Sequence, residues 1–434
     1  MKKRANPIRS SALSLKFGNA GKRAAVSEFL AEYTRCVALF VERFWPLAQA
    51  DKLAPMPSTE LCKLESWLTA RALQCAGKQA AGICRGANAK NLRRLKMADA
   101  LWERGERVKS KRLREIAHLA KVGVPSIGRV EAQLDARFFV LERARGGRWE
   151  LWLTLKGVDG RKRGSQIVLP LQVTRHWKSF VSAKLLPSLR LSENGATFAF
   201  QSEPAQNSGS KTLAVDIGLK ATLSTSAGVQ HRVGNHGHTL ESVNAKMCRR
   251  KRGSNGFRRA ERHRDNIIRE TVNRLNLHGV GTLRLERIKN MKRGKRVSRK
   301  LSHWSSRDIF AALESRAEKL GVQVSYVNPR WTSQRCSACG WVQKRNRQGE
   351  QFGCRSCGNA VNADLNAALN IAASLPALPE TAVRERWNMK GFFWNPNAPV
   401  EKHAHESAAG RDIVREARKP RKVFRAHQSA KIFQ

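Results

Sequence analysis

Two Cys-x-x-Cys pairs, Cys336/Cys339 and Cys354/Cys357, stand with 14 residues between them. Four thiolates on two such knuckles can close tetrahedral S4 coordination, the geometry that suits Zn2+. Gly340 and Gly358 each follow the second cysteine of a pair, where a tight turn can aim backbone N–H groups at sulfur. No further ligand is implied, so the site reads as a structural zinc ribbon over residues 331–359. The ribbon hands the chain directly to Asn362-Ala363-Asp364, which opens an apolar, alanine-rich helix. An acid at the start of a helix, held by a metal ribbon, directs attention to acids upstream that could share its site.

The remaining five of nine cysteines, Cys36, Cys62, Cys75, Cys84 and Cys248, are scattered singly and read as small buried apolar residues. With the pairs as metal ligands, this usage predicts a reducing compartment. Lys and Arg number 82 against 34 acids, a formal net charge of +48. Such an excess calls for a polyanion, and nucleic acid is the default candidate. A membrane surface is disfavoured, because no apolar run of about 18 residues is present. The opening MKKRANPIRSSALSLKFG lacks an apolar h-region. The expectation is a soluble, intracellular (cytoplasmic) protein with no membrane partner.

In chain order, Ser11–Phe17 alternates apolar residues and predicts a short strand. From Lys22 to Leu47, Phe29, Leu30, Tyr33, Cys36, Val37, Phe40, Val41 and Phe44 recur at helical spacing. Helical sequence continues to about Lys121, with a dense basic face that includes Arg93 and Arg94. After Val122 strand-like runs alternate with turns such as Arg145-Gly146-Gly147 and Glu193-Asn194-Gly195. This β segment is expected to pair with the strand at Ser11–Phe17, making the helical block an insertion. Gln201–Ser210 is a polar linker. Strands are expected at Thr212–Leu219 and Thr282–Glu286. Between them lies helical sequence rich in Arg249, Arg250, Lys251, Arg252, Arg258, Arg259 and Arg262, broken in two at Gly253-Ser254-Asn255-Gly256. A basic loop over 289–303, a helix over 306–320 and a strand over 322–327 follow. The segment after Leu375 reads as a basic, poorly ordered extension with an aromatic patch at Trp387, Phe392, Phe393 and Trp394.

Asp216 and Glu286 each end a predicted strand, and Asp364 starts a helix. An α/β sheet of the ribonuclease-H type brings such positions to one edge. Carboxylate oxygens there can hold two Mg2+ ions, one activating water and the other stabilising a leaving 3′ oxygen. Taken singly, a strand-end acid is more often a cap or turn residue than a ligand. The histidines are not spaced as ligands.

Three segments then carry a family resemblance: LAVDIGLKATLSTSAG from Leu213, LRLERIKNM from Leu283, and TSQRCSACG…CRSCGNAVNADLNAALNIA from Thr332. They resemble the split RuvC motifs and zinc ribbon of TnpB proteins and of the compact type V (Cas12-like) CRISPR effectors. The motifs cover roughly Thr212–Ala373; the N-terminal half is similar in layout only. The resemblance implies a multidomain α+β chain. Residues 1–20 and 121–205 would form a wedge-type β-barrel, with a helical recognition lobe inserted at 21–120. Residues 211–330 and 360–375 would form a ribonuclease-H-like RuvC domain, with the zinc ribbon at 331–359 and a basic extension at 376–434. It implies an RNA-guided DNA endonuclease whose partners are a guide RNA and target double-stranded DNA, read beside a short adjacent motif. Asp216, Glu286 and Asp364 would be the catalytic, Mg2+-binding acids, and Cys336, Cys339, Cys354 and Cys357 the zinc ligands. The chain would act as a monomer or as a homodimer on one guide RNA. Where the family commonly has Glu-Asp, this chain has Glu286-Arg287. That departure motivates one alternative, a nuclease-deficient protein that silences targets without cutting. All three acids are present, which favours an active enzyme. A transposase of the same sheet type is disfavoured by the Asp, Glu, Asp order with a ribbon before the last acid.

Overall fold

The computed structural model describes residues 6–50, 58–144, 146–234, 236–288, 303–373, 375 and 391–395. The expected basic loop lies outside these except for His303. So do Arg145, Trp387 and the stretches 376–390 and 396–434 of the expected extension. The chain divides into two compact units, Met1–Glu203 and Pro204–Gln434. No helix among the described residues is long and apolar enough to cross a membrane.

In the first unit the strand expected at Ser11–Phe17 runs as β1, Ile8–Ser14. It ends early because Asn19 caps the next helix, its side chain accepting from the backbone N–H of Lys22 at 2.9 Å, and the chain must turn to present that cap. The helix Ala20–Gln49 buries the stripe from Phe29 to Phe44 that the spacing predicts. It packs on the helix Ala70–Glu103, whose buried residues Ala72, Ala76, Gly77 and Ala80 are small. The helix Arg107–Val122 follows. β1 pairs antiparallel with β7, Gly195–Gln201, so all of these helices are inserted between two neighbouring strands.

β2 (Ala132–Asp135) and β6 (Lys184–Leu191) complete a sheet of order β1-β7-β6-β2. β3 (Phe139–Arg143), β4 (Leu151–Lys156) and β5 (Gln166–Leu171) form a second, antiparallel sheet. The described strands therefore make two open sheets over one shared core, and the expected closed barrel is not formed. The ladder breaks between β2 and β3, where Asp135 accepts from the N–H of Arg137 at 3.0 Å and starts a 3-10 turn at Ala136–Phe138. At the far edge, Pro170 within β5 has no N–H to extend pairing.

The second unit is built on a five-stranded sheet of order β10-β9-β8-β11-β12. β8 (Lys211–Asp216), β9 (Leu223–Thr225) and β10 (Gln230–His231) form an antiparallel meander. β11 (Val280–Glu286) runs parallel to β8, and β12 (Gln323–Val327) parallel to β11. Parallel strands need crossovers. The first uses the helices Leu240–Cys248 and Asn255–Arg274. They split at the expected glycines, where Ser254 accepts from the N–H of Phe257 at 3.1 Å and caps the second helix. The helix Ser306–Lys319 lies in the second crossover, burying Ile309, Leu313 and Ala317. The ribbon follows: β13 (Trp341–Val342), then the antiparallel strands β14 (Arg347–Gln348), β15 (Gln351–Gly353) and β16 (Ala360–Asn362). The helix Ala363–Ala373 packs against β8 and β9. β17 (Phe392–Phe393), inside the expected extension, pairs with β13.

Candidate active site and thiolate centre

Two parallel strands bring the first two acids together. Leu285 of β11 is registered against Val215 of β8, so the next residues, Glu286 and Asp216, end adjacent strands at one level. Neighbouring strands lie about 4.8 Å apart. Asp364 arrives from the helix Ala363–Ala373. Asn362 caps that helix, its side-chain oxygen accepting from the N–H groups of Asp364 at 3.0 Å and Leu365 at 3.2 Å. Gln230 on β10 donates to the same oxygen at 2.6 Å. Gly218, just past β8, gives the carboxylate room: a Cβ there would lie 3.8 Å from Asp364 Oδ2 and only 2.7 Å from the carbonyl oxygen of Ala221.

Asp216 feels both of the other acids. Burial raises the Asp216 carboxyl well above the ordinary carboxylate range, and the neighbouring Glu286 and Asp364 push it further. Burial likewise raises Glu286. Two groups from the ribbon act against this. Thr332 donates its hydroxyl to Glu286, and the Arg347 guanidinium lies 2.8 Å from Asp364 Oδ1. Arg347 also favours the charged forms of Asp216 and Glu286. The ribbon thus touches the acid site, although the sequence assigns it only a structural part. Among the described residues, the carboxylates are not gathered as tightly as the cysteines, the one group whose ligand atoms all lie within 4.8 Å of one another. Their donors are hard oxygens that repel one another, the set that suits a divalent cation such as Mg2+.

Arg287 does not enter the site. It follows Glu286 and so projects to the other side of the strand, with its guanidinium 5.8 Å from the ring centre of Tyr326.

The four cysteines converge as the spacing predicts. Cys336 and Cys357 Sγ are 3.8 Å apart, and Cys339 and Cys354 Sγ are 3.6 Å apart. A tetrahedron of sulfurs about 2.3 Å from a zinc ion has edges of about 3.8 Å, so the cluster fits that ion. Both knuckles share one fold: Gly340 N–H donates to Cys336 O at 3.0 Å and Gly358 N–H to Cys354 O at 3.1 Å. Both glycines have positive φ, 84° and 74°, which a side chain would resist. The N–H groups of Ser356 and Cys357 point at Cys354 Sγ. The Cys336 thiol is pushed down to about 4, first by a hydrogen bond from Cys354, while burial holds Cys339 up at about 11.

The basic candidates are exposed, except Arg94, which is half-buried. Arg249, Arg250, Lys251 and Arg252 form the turn between the two crossover helices, with Arg250 folded over Gly256. Arg258, Arg259 and Arg262 line an open hollow with Asn255 and Glu261. Arg93 and Arg94 lie on the helix Ala70–Glu103 of the first unit, Arg94 bonded to Asn91 at 2.8 Å.

Sequence reasoning missed Thr332, Arg335, Arg347, Asn366 and Asn370. Asn366 and Asn370 stand four apart on one helix face, and both side chains donate to the carbonyl of Arg335 at 2.7 Å. Two asparagines at that spacing in an alanine-rich helix are the one readable sign of this docking.

The family model described as Cas12f1-like, TNB domain matches residues 307–371. The CRISPR-associated endodeoxyribonuclease Cas12f1 of Sulfoacidibacillus thermotolerans is 39% identical over 117 residues, covering 27% of this chain and 27% of that protein. A TnpB-like protein of Aquifex aeolicus is 34% identical over 92 residues, covering 20% of this chain and 30% of that protein. The chain matches about a quarter of the length of these relatives. Among solved structures, a Cas12f1-sgRNA-target DNA complex is similar over 81% of both chains at 16% identity, with a TM-score of 0.46.

Proposed function

We propose, from its similarity to Cas12f1 and TnpB-like proteins, that the chain is a member of the TnpB and compact Cas12 family and an RNA-guided DNA endonuclease. The observation that carries the proposal is the convergence of Asp216, Glu286 and Asp364 at one edge of the second unit's sheet. The order β10-β9-β8-β11-β12, with an antiparallel meander followed by two parallel strands, supports a ribonuclease-H-like, RuvC-type domain at 211–330 and 360–375. The ribbon at 331–359 is inserted before its last helix. Relatives in this family are named as CRISPR-associated endodeoxyribonucleases.

In this reading Asp216, Glu286 and Asp364 hold divalent metal, which supplies Lewis-acid activation of water and of the leaving oxygen. The protein's own groups prepare that site. Thr332 fixes one oxygen of Glu286. Arg347 offsets the carboxylate charge at Asp364 and can bond a phosphate oxygen when a backbone enters. The Asn362 cap sets where Asp364 projects. Zinc on the four cysteines holds the ribbon that carries Thr332 and Arg347. The guide RNA and its duplex with target DNA would be held through phosphates by exposed arginines, including Arg258, Arg259 and Arg262. Residues 1–20 and 121–205 would serve as the wedge, and 21–120 as the recognition lobe.

The nuclease-deficient alternative rested on Arg287. The placement of that side chain over Tyr326 supports the active reading over this alternative. The experiment that tests guided action is to express the chain with its native flanking DNA, purify it and sequence the RNA that accompanies it. One discrete RNA with a constant part and a guide part is expected. Random cellular RNA, or none, would contradict the proposal.

A further inference from the structure

Residues 391–395 lie in a segment that the sequence reads as a basic extension, yet they are built into the ribbon. Trp341 is paired with Phe393 and Val342 with Phe392 across β13 and β17. The N–H of Trp394 donates to Gly340 O at 3.0 Å. The approach is close at both ends. A Cβ on Gly391 would lie 2.2 Å from the Trp341 ring, and one on Gly340 would lie 1.9 Å from Asn395 Oδ1. Gly340 is the residue after a thiolate ligand, so the strap touches a zinc knuckle directly.

The strap also closes over a buried cation. Arg335 is 4% exposed, and no carboxylate bonds it among the described residues. Its guanidinium donates from Nε to Trp394 O at 2.6 Å, from Nη1 to Asn370 Oδ1 at 2.6 Å and from Nη2 to Asn395 Oδ1 at 3.2 Å. Two of these three acceptors belong to the strap. The third belongs to the helix Ala363–Ala373, which carries Asp364. Asn370 continues the chain of bonds, donating to the carbonyl of Thr332 at 2.9 Å, and Thr332 holds Glu286. A buried charged donor stripped of two of its three acceptors is strongly destabilised, so Arg335 loses most of what holds it in this position if the strap leaves.

A third observation agrees. Trp331 has φ of 59°, the only positive φ outside glycine among the described residues. A bulky residue in that conformation persists only where its surroundings impose it. Phe392 and Trp394 of the strap meet the Trp331 ring edge-on, at 5.1 and 5.9 Å.

We propose that residues 391–395 are a C-terminal strap that completes the ribbon and, through Arg335, positions Thr332 and the helix bearing Asp364. Arg335, Trp394 and Asn395 are positioning residues; none touches substrate. The effect on cleavage rests on the function proposed above, whereas the effect on the ribbon does not.

The test compares three otherwise intact chains, each prepared with its RNA: full length, ended after Asn395, and ended after Lys390. Two readouts need no cleavage: release of zinc to a chelator, and hydrogen exchange across residues 363–373. The chain ended after Asn395 should match full length in both. The chain ended after Lys390 should release zinc and exchange those amides at least tenfold faster. Equal behaviour of the two shortened chains would overturn the proposal. Should the shorter chain fail to fold, Asn395→Ala decides, since it removes one acceptor of Arg335 and leaves the aromatic packing in place. It should speed exchange at 363–373 several-fold and slow single-turnover cleavage while target binding stays within twofold. Unchanged exchange in that variant also overturns the proposal. If full-length protein does not cut but the exchange difference is seen, the strap stands and the nuclease reading falls.

Discussion

Arg347 Nη2 lies 2.8 Å from Asp364 Oδ1, so a cation from the ribbon is bonded to one of three acids that come from the sheet edge and the helix beside it. The same guanidinium lowers the proton affinity of Asp216 and Glu286. Arg347→Ala removes that influence, and both carboxyls then hold protons to higher pH. Single-turnover cleavage at pH 7 should fall about 100- to 1,000-fold, the scale of losing one charge-stabilising donor. The acidic limb of the pH–rate profile should move upward. A loss of rate with an unmoved profile would assign Arg347 to phosphate contact alone.

The acids also predict how metal-free stability depends on pH. Asp216 and Glu286 are raised above their ordinary values of 3.8 and 4.5, so the folded chain keeps protons that the unfolded chain releases. The stability they contribute is complete below those values and is lost as pH rises through the folded values. Asp216→Asn should therefore raise the melting temperature of metal-free protein at pH 8 by about 2–4 °C and change it little below about pH 3. Added Mg2+ should stabilise the native chain at pH 8 more than the variant. Equal melting curves across this range would mean that the acids are not strained together.

The thiolate cluster should carry one zinc per chain by elemental analysis. Cys354→Ser should lose it and, with it, the ribbon that presents Thr332 and Arg347. Cleavage is then expected to fall to background while the first unit keeps its fold. Full activity with zinc stripped would separate the ribbon from the chemistry.

The exposed arginines on the helix Asn255–Arg274 make a different kind of prediction. Replacing Arg258, Arg259 and Arg262 with Gln should weaken RNA or heteroduplex binding at every sequence alike. It should also flatten the slope of log affinity against log salt by about 2 to 3, close to one for each phosphate no longer neutralised. An unchanged slope would place the nucleic acid elsewhere.

How far the sequence could be read follows from what each feature depends on. The helix Ala20–Gln49 was legible because its buried stripe is local and periodic. Asp216 and Glu286 were legible as strand ends, but only the register of Leu285 on Val215 shows that they are neighbours. Arg347 was hidden among Lys344, Arg345 and Arg347; the pairing of β14 with β15 selects which one reaches Asp364, and composition cannot. The two open sheets replaced the expected barrel because closure turns on a three-residue 3-10 turn at Ala136–Phe138. The strap was obscured by distance along the chain: Phe392 finds its partner at Val342 across proline-punctuated sequence that gives no periodic signal. Its aromatic residues were visible, but not what they cover.

The most direct test of the central claim is cleavage of a guide-matched duplex by the purified ribonucleoprotein, with native protein beside Asp216→Ala and Asp364→Ala. The account predicts Mg2+-dependent strand breaks with native protein and none with either variant, while both variants keep their zinc and bind the target as before. Undiminished cleavage by both variants would contradict it.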